Sequence, residues 1–214
     1  MRAVQQARAL ATRNHIVESS AAVFDREGFA GASLGQIVDQ ADTTRGALHF
    51  HFPTKDALAT AVVNEHHSKM TAVVDSATAG DASALEQIVL ISRATSRMID
   101  KDPVVRAGTR LLMELTYTGD LPISYRAWIE ACEGLVHTAI DDGDVVPTAS
   151  PAAVAYFIIS SLAGIQMVSS VLSSRSDLDQ RVNEMWQVIL PGLVPADRQA
   201  KVAELLSSVP SDQP

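Results

Sequence analysis

A single cysteine, Cys132, among 214 residues leaves no intrachain disulfide to form and gives no sign of an oxidising compartment. Aromatic side chains make up only 5% of the chain, so a local cluster of them carries information. No run of alternating β-branched residues is sustained, which leaves a sheet nothing to build on; helix is the reading almost everywhere. No long apolar run opens the chain: MRAVQQARALATRNH is unlike a secretory leader, and a cytoplasmic location is expected. The glycines Gly28, Gly31 and Gly35 are not followed by Gly-Lys-Ser or Gly-Lys-Thr, so they form no phosphate loop. His49, His51, His66 and His67 lack the i, i+4 spacing and carboxylates of a metal site, and no metal or cofactor is expected.

What is present is apolar and acidic. Hydrophobic residues reach 47% and charged residues 20%, enough to bury a sizeable core, and the formal charge is -8. That charge is unevenly spread. Residues 1–55 hold six basic against five acidic side chains, a net +1, so the remainder carries -9. An acidic body repels phosphate and leaves the N-terminal head as the face able to meet nucleic acid. From Val145 to Ser174 there is no charge at all. That length could span a bilayer, but its serines and its lack of flanking anchors favour a fully buried helix shared with a partner subunit.

The pattern predicts a first helix over about 8–26, stopped by Gly28, after which Phe29 turns back into the core. A second starts at Ser33, where Ser-x-x-Gln forms a capping box with Gln36. Ala41-Asp42 makes a turn, and Thr43 or Thr44 caps a third helix running to about Phe50. Pro53-Thr54 ends it and caps a fourth from Lys55 to about Ala77. Later helices are expected at about 83–101, 103–117, 122–141, 151–173 and 177–193, with a short one after Pro195. The expected class is all-α, with a helix-turn-helix head at 1–55 and a helical-bundle body for ligand binding and dimerisation at 56–214.

Two short capped helices around a tight turn are the plan of a major-groove reader. Candidate DNA contacts are Ser33, the hydroxyls and cation of Thr43, Thr44 and Arg45, and Gly46, which lets backbones approach. His49 and His51 alternate with Phe50 and Phe52, which suggests polar tips outward and aromatic anchors inward. Lys55, at the start of the fourth helix, is placed to join its free N–H groups on a phosphate.

The stretch FDREGFAGASLGQIVDQADTTRGALHFHFPTKDAL resembles the N-terminal domain of the TetR family of bacterial repressors. The shared block is Gly46, Leu48, His49, His51, Phe52, Lys55 and Leu58; His49 stands where the family usually has a phosphate-contacting Tyr, and Asp42 where a turn Gly is common. In the body, DPVVRAGTRL, the AWIE around Trp128 and MWQVILPGLVP resemble the γ-butyrolactone-receptor branch, which controls antibiotic production in filamentous actinomycetes by binding lactone or furan-type signals. The resemblance implies that Trp128 lines a ligand cavity. It also brings Ile165, where relatives carry a hydroxyl, and His66, near an expected Gln, into the candidate site. Tyr117 and Tyr125 join Trp128 in an aromatic cluster suited to a cavity wall.

The implied function is a ligand-responsive repressor, not an enzyme: a homodimer on a palindromic double-stranded operator, released by a small-molecule inducer, with no membrane partner. The dimer interface is expected on helices 151–173 and 177–193, where Leu178, Val182, Met185 or Trp186, Ile189 and Leu193 recur at helical spacing. Two other readings are weighed. Gly31 to Gly35 matches G-x-S-x-G, the elbow of serine hydrolases, but that elbow needs a strand before the serine. A helical interaction scaffold would show no salt-dependent binding to any duplex.

Overall fold

Helices form where apolar periodicity runs between recognisable caps. In the computed structural model, which describes residues 2–116 and 123–207, there are ten α-helices and no strand among the described residues. They are α1 (Arg2–Gly31), α2 (Leu34–Gln40), α3 (Arg45–His51), α4 (Lys55–Thr78), α5 (Ala84–Lys101) and α6 (Pro103–Thr116), then α7 (Ile123–Asp141), α8 (Pro151–Ser173), α9 (Leu178–Leu193) and α10 (Ala200–Ser207). A 3-10 turn, Ala196–Arg198, precedes α10. Later helix boundaries fall within a residue or so of the expected ones, because Pro, Gly and small polar residues break the pattern there. The first helix begins earlier than expected, at Arg2; at Gly28 the backbone leaves helical geometry, with φ of 73° and ψ of 177°, where the stop was expected, and a further short turn runs on to Gly31.

The chain forms two compact units, Met1–Thr71 with Lys101–Pro122, and Ala72–Asp100 with Ile123–Pro214. By packing, then, the first unit is not the simple 1–55 segment: it keeps the first 17 residues of α4 and all of α6. Side chains explain why. Arg106 Nε donates to Asp25 Oδ2 at 2.8 Å, and Arg110 Nη1 donates to the Asp25 carbonyl at 2.6 Å. Arg110 also pairs with Glu114, four residues on, at 2.7 Å, and the Glu114 carboxylate accepts the Phe29 N–H at 2.6 Å. These contacts bind α6 to the kinked end of α1. Lys69 on α4 reaches Asp102 at 2.7 Å, and Asp102 also accepts the Val104 N–H at 2.8 Å, opening α6. Burial pushes the Asp102 carboxyl up, but the hydrogen bonds from Lys69, Val104 and Val105 outweigh it and hold it below its ordinary value.

The second unit has its own core. Leu85, Ile88 and Val89 of α5, Val136 of α7, Ile158 of α8, and Val182, Trp186 and Leu190 of α9 bury together with Leu205 of α10. Trp186 is fully buried, and its indole N–H donates to Ser92 Oγ at 2.7 Å, which satisfies the one polar atom of the ring. Asp144, also buried, anchors α10 by accepting from Lys201 Nζ at 2.5 Å and Arg198 Nη1 at 2.8 Å.

This core corrects the expected dimer stripe. Leu178, Val182, Met185 and Trp186 are buried within the chain's own second unit, and Ile189 and Leu193 pack against the same core. Periodicity marks this apolar stripe but does not say whether a partner or the chain's own core covers it. α8 buries one side within this unit and leaves the other exposed. Ala155, Ile158 and Ser169 are buried, whereas Tyr156, Phe157, Met167, Val168, Val171 and Leu172 are exposed, and Val188 of α9 is exposed as well. α8 is the one described helix long and apolar enough to cross a membrane by length and composition.

Candidate nucleic-acid interface and body site

α2 and α3 are built by local chemistry. Ser33 Oγ accepts the Gln36 N–H at 3.3 Å while Gln36 Oε1 accepts the Ser33 N–H at 2.8 Å, the reciprocal capping box read from the sequence. Ser33 follows a helix and a short turn and begins another helix, so the strand that a hydrolase elbow requires is not there. Asp42 turns the chain with φ of 43°, the left-handed geometry that Asp tolerates better than most residues. Of the two threonines, Thr44 is the cap: its Oγ1 accepts the Ala47 N–H at 3.1 Å. Thr54 repeats the device at the start of α4, accepting from the Ala57 N–H at 3.1 Å.

The inward side of the pair is Ile37, Ala41, Leu48 and Phe52, all buried. His15 Nε2 lies 3.2 Å from the Ala41 carbonyl, and the Arg13 guanidinium sits over the Phe52 ring at 5.1 Å, so α1 braces the turn and the end of α3. The outward side presents Thr44, Arg45, Gly46, His49 and Phe50, all exposed, with Thr43 and His51 half-buried. Arg45 and His49 lie one turn apart and share a face.

Two expectations about this face change. Phe50 was expected as a core anchor, yet it is 82% exposed. Alternation is a strand pattern; on a helix, two residues are 200° apart, so Phe50 is opposite the buried Leu48. Phe52 is buried because it is the C-cap, in extended backbone outside the helical period. Lys55 was expected to hold a phosphate. Its ammonium instead donates to the carbonyls of Phe29 at 2.7 Å and Ala32 at 3.0 Å and lies 4.6 Å from the Phe29 ring centre. Those carbonyls end α1 without intrahelical partners, and the lysine supplies the donors.

The expected ligand residues fall in both units. Tyr125 and Trp128, half-buried on α7, meet edge to face with ring centres 5.5 Å apart. Burial raises the Tyr125 phenol above its usual value. Ile165, on α8 in the same unit, packs against the second unit's core. His66 belongs to the first unit, on α4, where it is 1% exposed and its Nε2 lies 3.3 Å from Thr109 Oγ1 of α6. Burial pushes its imidazole down to about 4, His67 adds to the effect, and Asp102 opposes it. Tyr117 lies outside the described residues. Sequence reasoning missed the Arg106, Arg110 and Glu114 grip on α1; the Arg110–Glu114 spacing of four was its one visible sign.

The capped α2, the left-handed Asp42 and the exposed polar face of α3 define a helix-turn-helix protein. Residues 16–62 match the domain described as bacterial regulatory proteins, tetR family, and residues 82–195, just over half of the chain, match the tetracyclin repressor-like C-terminal domain. The chain belongs to the TetR family of transcriptional regulators. It is 36% identical over 189 residues to the A-factor receptor protein of Streptomyces griseus, a match covering 88% of this chain and 66% of that protein, so the chain spans just under two thirds of that relative's length. It is 23% identical over 185 residues to the HTH-type transcriptional repressor DhaR of Mycobacterium sp. (strain GP1), covering 84% of this chain and 92% of that one. Among solved structures, a gamma-butyrolactone receptor described as an ArpA-like protein aligns with a TM-score of 0.82 at 28% identity, over 94% of this chain and 96% of that chain. CprB from Streptomyces coelicolor, solved in complex with its biological operator sequence, aligns with a TM-score of 0.80 at 30% identity over the same shares of the two chains.

Proposed function

We propose that this chain is a ligand-responsive transcriptional repressor that binds a palindromic operator as a homodimer and is released by a small, mostly apolar butyrolactone- or furan-like signal. The observation that carries the reading is the outward face of α3. It presents Arg45 and His49 on a short helix whose opposite side is fixed by Leu48 and by the brace from α1. A rigid helix with exposed donors on one side suits a major groove, where Arg pairs with guanine and phosphates fix the register. The head, 1–55, makes these contacts in this reading, with Thr43, Thr44 and His51 at their edge, and the body, 56–214, binds the signal and the second subunit.

Dimerisation is supported by α8. Its exposed apolar residues fall on one side of the helix, Tyr156 and Phe157 near its start and Met167, Val168, Val171 and Leu172 near its end, a stripe larger than a soluble surface usually leaves in water. A second copy of the same stripe covers it under two-fold symmetry, and two-fold symmetry makes the operator palindromic. The membrane reading of α8 leaves its buried side, Ala155, Ile158 and Ser169, unexplained. The named relatives, the A-factor receptor and the gamma-butyrolactone receptor, support the class of signal. The edge-to-face pair of Tyr125 and Trp128 supports an aromatic wall for it. Release then follows from differential affinity of the signal for the two states of the dimer.

The test is selection of bound sequences from a random duplex library, followed by release with lactones and furans. Wild type selects an inverted repeat and is released by one of these compounds. Trp128→Ala keeps operator affinity within about twofold, because the residue is outside the head, and loses release. Selection of no duplex, or release unaltered in Trp128→Ala, refutes the corresponding half of the proposal.

A further inference from the structure

We infer that Phe50 is a specificity-determining residue that reads the C5-methyl group of a thymine in the major groove. The inference rests on the operator binding proposed above and deepens it. Only 5% of the chain is aromatic, yet this phenyl stands 82% exposed on α3, between exposed Arg45 and His49 and the half-buried His51. Its one described ring contact is edge-to-face with His51, centres 5.1 Å apart, which fixes its direction without covering its face. One helical turn before Phe50 stands Gly46, which has no side chain. A Cβ there would meet only Thr44 Oγ1, at 4.0 Å, so the helix surface beside Phe50 is bare. Gly46 and Phe50 together make a flat apolar strip flanked by a guanidinium and an imidazole.

The chemistry of the strip selects its occupant. A phenyl carries no donor for phosphate and no partner for N7, O6, O4 or an exocyclic amine. The apolar group that the major groove offers is the thymine methyl, which Phe contacts well. The strip therefore specifies an A·T pair at one position of each half-site, with Arg45 and His49 contributing polar contacts beside it. Phe50 does not hold the head together: that task falls to Leu48 and Phe52, which are buried.

Thymine-by-thymine replacement with deoxyuridine in the selected operator tests this, since it removes one methyl and nothing else. Binding is read by fluorescence anisotropy at fixed salt. Wild type should lose about fourfold at one position per half-site and about 15-fold when both are replaced, the worth of one apolar carbon each. Phe50→Ala should bind more weakly and be indifferent to the same replacement, with an unchanged thermal melt. Should wild type bind its operator in a salt-dependent manner yet ignore every deoxyuridine, the inference fails and the repressor reading stands. Sensitivity that persists in Phe50→Ala assigns the methyl to another residue and also overturns it. Failure of wild type to select any duplex removes both. The scan on wild type needs no variant, so misfolding of Phe50→Ala would not rescue the inference.

Discussion

Gly108→Ala is a test of how closely α4 and α6 approach. Two effects oppose each other. Replacing a helical glycine with alanine stabilises the helix by about 1 kcal/mol. Against that, a Cβ at Gly108 would lie 2.3 Å from His66 Cβ, 2.6 Å from its Cγ and 3.0 Å from its Cδ2. Carbon atoms rest about 3.5–4.0 Å apart, so the overlap with Cβ exceeds 1 Å. His66 Cβ is attached to the backbone and cannot rotate away, and the ring behind it is buried, so the helices themselves must part. Overpacking of this kind costs about 1–3 kcal/mol, and the severe overlap puts this site at or beyond the upper end. A net loss of about 2 kcal/mol or more follows, or roughly 4–8 °C in Tm for a chain of this size. Thermal melts at fixed protein concentration, followed by circular dichroism, measure it. His66→Ala added to Gly108→Ala should recover only part of the loss, because the worst contact is with Cβ, which alanine keeps. A Gly108→Ala protein that melts at or above wild type would show that helix propensity dominates and that the close approach is wrong.

Acid should weaken the fold in two windows. His66 is depressed from 6.5 to about 4 in the folded state, so its neutral form is stabilised there; stability falls as pH drops from about 6.5 toward 4, by about 2–4 kcal/mol, and urea melts of His66→Gln should lose that slope. Burial pushes the Asp144 carboxyl up, but hydrogen bonds from Lys201, Ser83 and Arg198 hold it below its ordinary value of 3.8, so its contribution is complete above that pH and vanishes as pH falls through the lowered folded value. Asp144→Asn should cost about 1–3 kcal/mol at neutral pH in denaturant melts. Lys55→Ala should lower Tm by leaving the Phe29 and Ala32 carbonyls without their donor, while Arg45→Ala leaves Tm unchanged and weakens operator binding; a phosphate role for Lys55 would instead show as a salt slope smaller by about one unit at unchanged Tm. Val171→Glu, on the exposed stripe, should sediment as a folded monomer, whereas Val182→Glu should fail to fold, since it buries an unpaired carboxylate in the second unit's core; a Val171→Glu dimer would place the interface elsewhere.

The sequence by itself determined the elements and the head. Caps, turns and helix stops are local chemistry: Ser33 with Gln36, the left-handed Asp42 and the break at Pro103 each act within a few residues, so reading along the chain finds them. The resemblance to TetR regulators rested on that same local block. Which side of a helix faces inward was decided only by the tertiary structure, because periodicity marks a stripe without naming what covers it. Val182 and Trp186 proved to be core, and the exposed stripe turned out to run along α8. Phe50 and Lys55 were misread for related reasons: the ring's direction depends on where Leu48 packs, and the ammonium's partners are carbonyls 26 and 23 residues back in the chain. The grip of Arg106, Arg110 and Glu114 on the end of α1, more than 80 residues earlier, likewise exists only once folding brings two distant helices side by side.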